Sequence, residues 1–272
     1  MKSELRWFLA VSLAALALTA GAASSETLTA EQIVERYVAA RGGAEAWRQV
    51  QTMGWSGRIE SGPPGTASVP FLMWLKRPNA THFEITSQGR KSVRIFDGSK
   101  GWKARPTGPG GNEVKDYTAA ELSSAGDAYG LDGPLFDYKE KGVTVVLDGK
   151  DSIEGHEAYR LRVKLPSGQA HTDWIDAHSF LELKYDRATR TVVGQTGVVS
   201  VHYRDYQTVN GLVIPFTIET GGTASTAIDR MIIEKIAINP VLEAATFSRP
   251  AGARRRPTVR IDAPQPAGGP GQ

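Results

Sequence analysis

The chain has 272 residues, of which 40% are hydrophobic and none is cysteine, and its formal net charge is +3. Enough apolar material is present for one sizeable core, whereas disulfides, thiolate metal sites, thiol nucleophiles and a lipidated cysteine are excluded. Residues 249–272 carry +4 of that charge and residues 1–22 carry +1, so the stretch between them stands at −2, and nucleic acid is not an expected partner of the domain.

Lys2 and Arg6 precede an apolar run over residues 7–20, and Ala20-Gly21-Ala22 supplies the small residues of a signal-peptidase site. The run falls short of the roughly 20 residues that a bilayer span needs. Residues 1–22 are therefore expected to be a signal peptide cleaved near Ala22, residues 23–248 the folded domain, and the mature protein periplasmic. Residues 249–272 are rich in Pro, Gly and Arg and read as a disordered tail, either solvated or in contact with an anionic membrane surface.

Thr29 and Gln32 have capping-box spacing, and Ile33, Val34, Tyr37 and Val38 paint an apolar stripe that Gly42-Gly43 ends, so a helix is expected there. A shorter helix is expected over 44–50, with Trp47 inward. From Met53 the apolar period changes to two. Val69, Phe71, Met73 and Leu75 alternate with their neighbours, as do Phe83 and Ile85, then Tyr159, Leu161, Val163 and Leu165. Leu181, Leu183 and Tyr185 follow the same rule, and so do Val199, Val201 and Tyr203, which reads as strands with one apolar and one wet face.

Turn chemistry separates these runs at Asp97-Gly98, Asp148-Gly149, Pro166-Ser167-Gly168 and Asn210-Gly211. Short connections imply an antiparallel meander, and the lack of a long helix over 143–238 disfavours a doubly wound sheet. Residues 118–129 read as a short helix after a Gly/Pro-rich loop, a lid or plug over the sheet. An even-numbered turn after Phe96 places Trp102 on one face with Val93 and Ile95, which reads as the apolar, inward face.

An apolar sheet face must be closed, sandwiched or covered. The helices available are few, so the expected fold is α+β: a strongly curved antiparallel β-sheet, a half-barrel, with two or three helices covering the concave face. Phe71, Met73, Phe83, Ile85, Ile95, Trp102, Leu161, Val163, Leu183 and Tyr203 are the expected lining of an apolar hollow on that face. Such a wall either holds an acyl chain or completes a dry core.

Reaction signatures are missing. His156-Glu157 opens like a zinc-protease motif, but Arg160 stands where the second histidine belongs, on a strand. His171, Asp173, Asp176 and His178 form the densest set of metal-ligand types, although Asp176-Ala177-His178-Ser179 reads as a polar hairpin. Asp151, Glu154 and Glu157 read as solvated carboxylates around a turn. Asn79-Ala80-Thr81 fits a glycosylation sequon, and Trp74 reads as an aromatic at an edge or outer rim. No catalytic residue, metal or cofactor is expected.

Four segments together resemble the LolA-like outer-membrane lipoprotein-sorting proteins over about residues 28–248. They are Ile33-Val34-Glu35-Arg36-Tyr37-Val38-Ala39-Ala40-Arg41-Gly42-Gly43, Asp97-Gly98-Ser99-Lys100-Gly101-Trp102, Gly133-Pro134-Leu135-Phe136-Asp137-Tyr138-Lys139-Glu140-Lys141-Gly142 and Asp205-Tyr206-Gln207-Thr208-Val209-Asn210-Gly211-Leu212-Val213-Ile214-Pro215-Phe216. The resemblance implies a half-open sheet with a helical lid and a periplasmic, non-enzymatic carrier of lipid or lipoprotein acyl chains. The alternative is an envelope scaffold or stress sensor acting through an envelope protein partner. A hydrolase or metal enzyme built around His171 and His178 is the third reading.

Overall fold

The computed structural model describes residues 28–63, 67–107, 111–190, 196–222 and 225–251; the expected signal peptide and most of the expected tail lie outside them. The chain opens with α1 (Ala30–Ala40) and α2 (Ala44–Arg48). The capping box forms as its spacing predicts: Thr29 Oγ1 accepts from the Gln32 backbone N–H at 3.2 Å, and the Thr29 N–H donates to Gln32 Oε1 at 2.8 Å. Ile33, Val34 and Tyr37 are the buried face of α1, and Trp47 that of α2. Gly42 (φ 107°) turns the chain between the helices, where a Cβ would lie 2.2 Å from the Gly211 carbonyl oxygen, so only glycine fits.

Six strands follow: β1 (Thr52–Ser61), β2 (Ser68–Lys76), β3 (Ala80–Ser87), β4 (Arg90–Phe96), β5 (Gly101–Thr107) and β6 (Gly111–Asp116). After α3 (Ala119–Asp127) come β7 (Thr144–Ile153), β8 (His156–Lys164), β9 (Ala170–Asp176) and β10 (Glu182–Arg190). β11 (Thr196–Val209), β12 (Leu212–Gly222) and β13 (Ser225–Ile238) complete the sheet, and a 3-10 turn, Ala244–Phe247, closes the described chain. The thirteen strands form one antiparallel sheet in the order β6-β5-β4-β3-β2-β1-β13-β12-β11-β10-β9-β8-β7. It is curved and open, with β6 and β7 at its two ends. The expected α+β half-barrel is the observed fold.

One face, the concave one, carries the helices. Ile33, Val34, Tyr37, Trp47 and Val50 pack with Met53 of β1, Leu75 of β2, Tyr159, Leu161 and Val163 of β8 and Ile214 of β12. Residues 128–143 add Leu131, Leu135, Phe136 and Val143 to this cluster. Trp47 and Phe136 meet with ring centroids 5.3 Å apart. Arg77 ties the layer together: Nε and Nη2 donate to the carbonyls of Val50 and Trp47 at 2.8 and 2.7 Å, and Nη1 pairs with buried Asp132 at 2.7 Å. Lys141 Nζ takes the other Asp132 oxygen at 2.7 Å. The charge on Asp132 is thus fully paired, as a buried carboxylate requires.

The convex face carries a second, smaller cluster. Ala80, Ile95 and Phe247 are buried there, with Trp74, Val93, Trp102 and Leu242 against them. The final segment is laid over β3 by the Thr246 carbonyl, 2.7 Å from His82 Nδ1. Trp74, expected at an edge or rim, belongs to β2, which is flanked by β1 and β3 and covered by this segment.

Candidate ligand-binding face

Strand register assigns every side chain to a face, because directly opposed residues of an antiparallel pair project on the same side. One row runs across seven strands: Ile236, Trp55, Met73, Phe83, Arg94, Lys103 and Lys115. A second contains Ile233, Gly57, Phe71, Ile85 and Ser92. A third contains Tyr203, Ile218, Met231, Ile59 and Val69. These rows share the concave face with Met53 and Leu75, which lie in register two residues along their strands.

The helix-completed cluster reaches Trp55 and Met73 but does not include Phe71, Phe83, Ile85, Ile218 or Met231. The helix-completed cluster therefore covers one end of the concave face, and the apolar rows continue past it. Phe71 is 4% exposed and lies 6.1 Å, centroid to centroid, from the half-buried Phe83 ring.

Beside this wall, β9, β10 and β11 contribute a polar patch. His171 Nε2 lies 3.0 Å from Asp173 Oδ1, and Asp173 is 1% exposed. Tyr185 sits between His171 and Tyr203, at ring distances of 5.5 and 6.2 Å. Arg41 Nη1 donates to the Tyr37 hydroxyl at 2.8 Å while its Nε holds the Val213 carbonyl at 2.6 Å. The Tyr206 hydroxyl donates to the Glu182 carbonyl at 2.9 Å.

Burial, reinforced by the charge of Asp173 and opposed by Arg41, drives the Glu182 carboxyl well above its ordinary range. Burial raises Asp173 too, against the pull of His171, and it pushes up the phenols of Tyr185, Tyr203 and Tyr206. The patch favours neutral, hydrogen-bonding forms of its acids.

The rim formed by β4, β5 and β6 is cationic. Arg94, Lys103, Arg105 and Lys115 all face the concave side. Glu121 of α3 bridges two of them, accepting from Lys103 Nζ at 2.8 and 2.9 Å and from Arg94 Nη2 at 3.1 Å. These donors, with the Thr118 backbone N–H, hold the Glu121 carboxyl down to about 2. The helix read as a lid is thus pinned to the rim by its own capping-box glutamate, and at its other end Asn79 Nδ2 donates to the Gly126 carbonyl at 2.7 Å.

The ten residues expected to line one hollow are divided by the structure. Phe71, Met73, Phe83, Ile85, Leu161, Val163 and Tyr203 are on the concave face, although Leu161 and Val163 are fully buried within the helix-completed cluster. Ile95 and Trp102 oppose each other as the turn reading predicts, but on the convex face under Phe247, so the two cannot share a wall with Phe83. Leu183 is the extra residue of a β-bulge between Glu182 and Lys184. That bulge brings Glu182 opposite Ile175 and so to the inside, which strict alternation could not reveal.

The four residues weighed as metal ligands are split between the faces. Asp173 and His171 belong to the concave patch, whereas Asp176 Oδ1 accepts from the backbone N–H groups of His178 and Ser179 at 3.1 and 2.6 Å and shapes the β9–β10 turn. Among the described residues no group of three His, Asp or Glu side chains is placed to hold a metal. Asp151, Glu154 and Glu157, read as solvated, are paired with Arg160, Arg204 and Lys150.

No protein-family model matches the chain, and comparison with curated proteins finds no match. Among solved structures it is similar to a LolA superfamily protein of Nitrosomonas europaea, with a TM-score of 0.56 and 14% identity over 82% of this chain and 99% of that one. It is likewise similar to a DUF1329 family protein of Desulfovibrio piger, with a TM-score of 0.54 and 12% identity over 82% of this chain and 98% of that one. The chain therefore has the LolA-like fold; at these identities the likeness speaks for the fold alone.

Proposed function

We propose that the protein is a non-enzymatic carrier or binding protein of the bacterial envelope that holds acyl chains of lipids or lipoproteins against its concave wall. The observation that carries this reading is the continuation of the apolar rows through Phe71, Phe83, Ile85, Ile218 and Met231 beyond the cluster that the helices complete. Burial of an alkyl chain there gains about 25 cal/mol per Å² removed from water, with no directional contact required. The periplasmic location rests on the charged start, apolar run and small-residue site of residues 1–22.

Delipidated protein should take up a fluorescent fatty acid saturably. Phe83→Asp and Ile218→Asp should each weaken that uptake about tenfold or more, because a charge in the wall opposes an apolar ligand. Circular dichroism melts identify variants that remain folded, and two positions on separate strands guard against a single misfolded variant. Absence of saturable uptake by the unaltered protein would overturn the reading.

A further inference from the structure

The row that begins apolar at Ile236, Trp55, Met73 and Phe83 ends in three directly opposed cations, Arg94, Lys103 and Lys115, on adjacent strands. Cβ atoms of directly opposed residues lie about 5 Å apart, and like charges so placed repel. Glu121 offsets Arg94 and Lys103, and Glu113 Oε1 lies 3.0 Å from Lys115 Nζ. Arg105 faces Glu113 across the ladder and has no ion pair among the described residues. Four cations against two carboxylates leave the rim at +2. A lysine on an edge strand commonly guards against edge-to-edge pairing, and that role would explain Lys115 on β6. It does not explain Lys103 and Arg94, which lie on inner strands.

Between Lys103, Arg105, Glu113 and Lys115 the rim holds a half-open depression of about 160 Å³. It opens on the same face as Phe83 and lies two strands further along the same row. We propose that this depression is the headgroup subsite for an anionic phospholipid whose acyl chains lie on the Phe71–Phe83–Ile85 wall, an inference that rests on the acyl-chain reading above. The amphiphile and the rows match in order: hydrocarbon against the aromatic and aliphatic positions, phosphate against the cations where the face meets water. A negative headgroup also relieves the repulsion along Arg94, Lys103 and Lys115 that Glu121 and Glu113 only partly neutralise.

The test compares phosphatidylglycerol and phosphatidylcholine carrying the same fluorescent acyl chain, titrated into the delipidated full chain, with inorganic phosphate as a third arm. Two net charges at the rim should favour phosphatidylglycerol about tenfold at low salt, and less as salt is added. The double variant Arg105→Glu with Lys115→Glu should reduce the ratio of the two affinities to about one, while Lys164→Glu, at an exposed position of β8 outside the rim strands, should keep it. Equal binding of both lipids by the unaltered protein overturns the headgroup subsite and leaves the acyl-chain reading standing. Failure to bind either lipid overturns both. Saturation by inorganic phosphate as tight as by phosphatidylglycerol marks a free-anion site and overturns the lipid assignment.

Discussion

The Trp74 indole occupies the space that a side chain at Gly54 would need: a Cβ built on Gly54 would lie 2.1 Å from the ring. The two residues are directly opposed on β1 and β2. The ring cannot retreat freely, because it packs against the Phe247 cluster. Gly54→Ala should therefore destabilise the fold by about 1–3 kcal/mol as an overpacked site, read as a lower urea midpoint with an unchanged slope. An unchanged midpoint would mean that Trp74 has room to move.

Trp47 sits within the cluster that the helices complete. It is 1% exposed, meets the Phe136 ring at a tilt of 53° and donates Nε1–H to the Arg41 carbonyl at 2.8 Å. Truncation to alanine should cost about 3–5 kcal/mol. Trp47→Phe keeps much of the apolar contact and removes one of two donors to the Arg41 carbonyl, which still accepts from the Val213 N–H at 3.0 Å, for a loss of about 0.5–1.5 kcal/mol beyond the change in area. Chemical denaturation of the two variants checks the order.

Glu182 sets a pH dependence whose sign follows from its raised carboxyl. In the native state the neutral acid is favoured, so the unfolded chain, with its ordinary value near 4.5, loses its proton first as pH rises. The contribution of Glu182 is complete below about pH 4.5 and is lost as pH rises towards the native value. Glu182→Gln should accordingly raise the melting temperature at pH 7.5 more than at pH 4. Equal shifts at both pH values would contradict the burial of this carboxyl.

Glu121 behaves oppositely. Its carboxyl is held near 2 against an ordinary 4.5, so its contribution is complete above about pH 4.5 and disappears as pH falls towards 2. Glu121→Gln removes the charge that pins α3 to Lys103 and Arg94. Amide exchange within Ala119–Asp127 should quicken about three- to tenfold at neutral pH, with little change in β8. Uniform acceleration across the sheet would instead indicate a global loss of stability.

The period-two runs, the turn residues and the helix stripe were enough to read the strands, the meander and the covering helices, because each is local. Which face looks inward is not local. Ile95 and Trp102 alternate as Phe71 and Met73 do, and only Phe247, more than a hundred residues later, decides that their side is the convex one. Glu182 looks solvent-facing until the bulge at Leu183 reverses the strand. Arg94, Lys103 and Lys115 stand far enough apart in the chain that their row exists only once two hairpin registers are set, and a third joins it to Phe83.

Every ladder but one joins strands that follow each other in the chain; the exception pairs β1 with β13, aligning Met53 with Ile238. The molecule is thus two meanders stitched along a central seam whose partners are separated by almost the whole domain. Closing so long a loop costs more entropy than forming any hairpin. Each meander can zip on its own before the seam forms, and until then neither can complete the hollow. A lesion along Met53–Ser61 would therefore delay assembly of both halves at once, whereas one at β6 or β7 would fray only a margin.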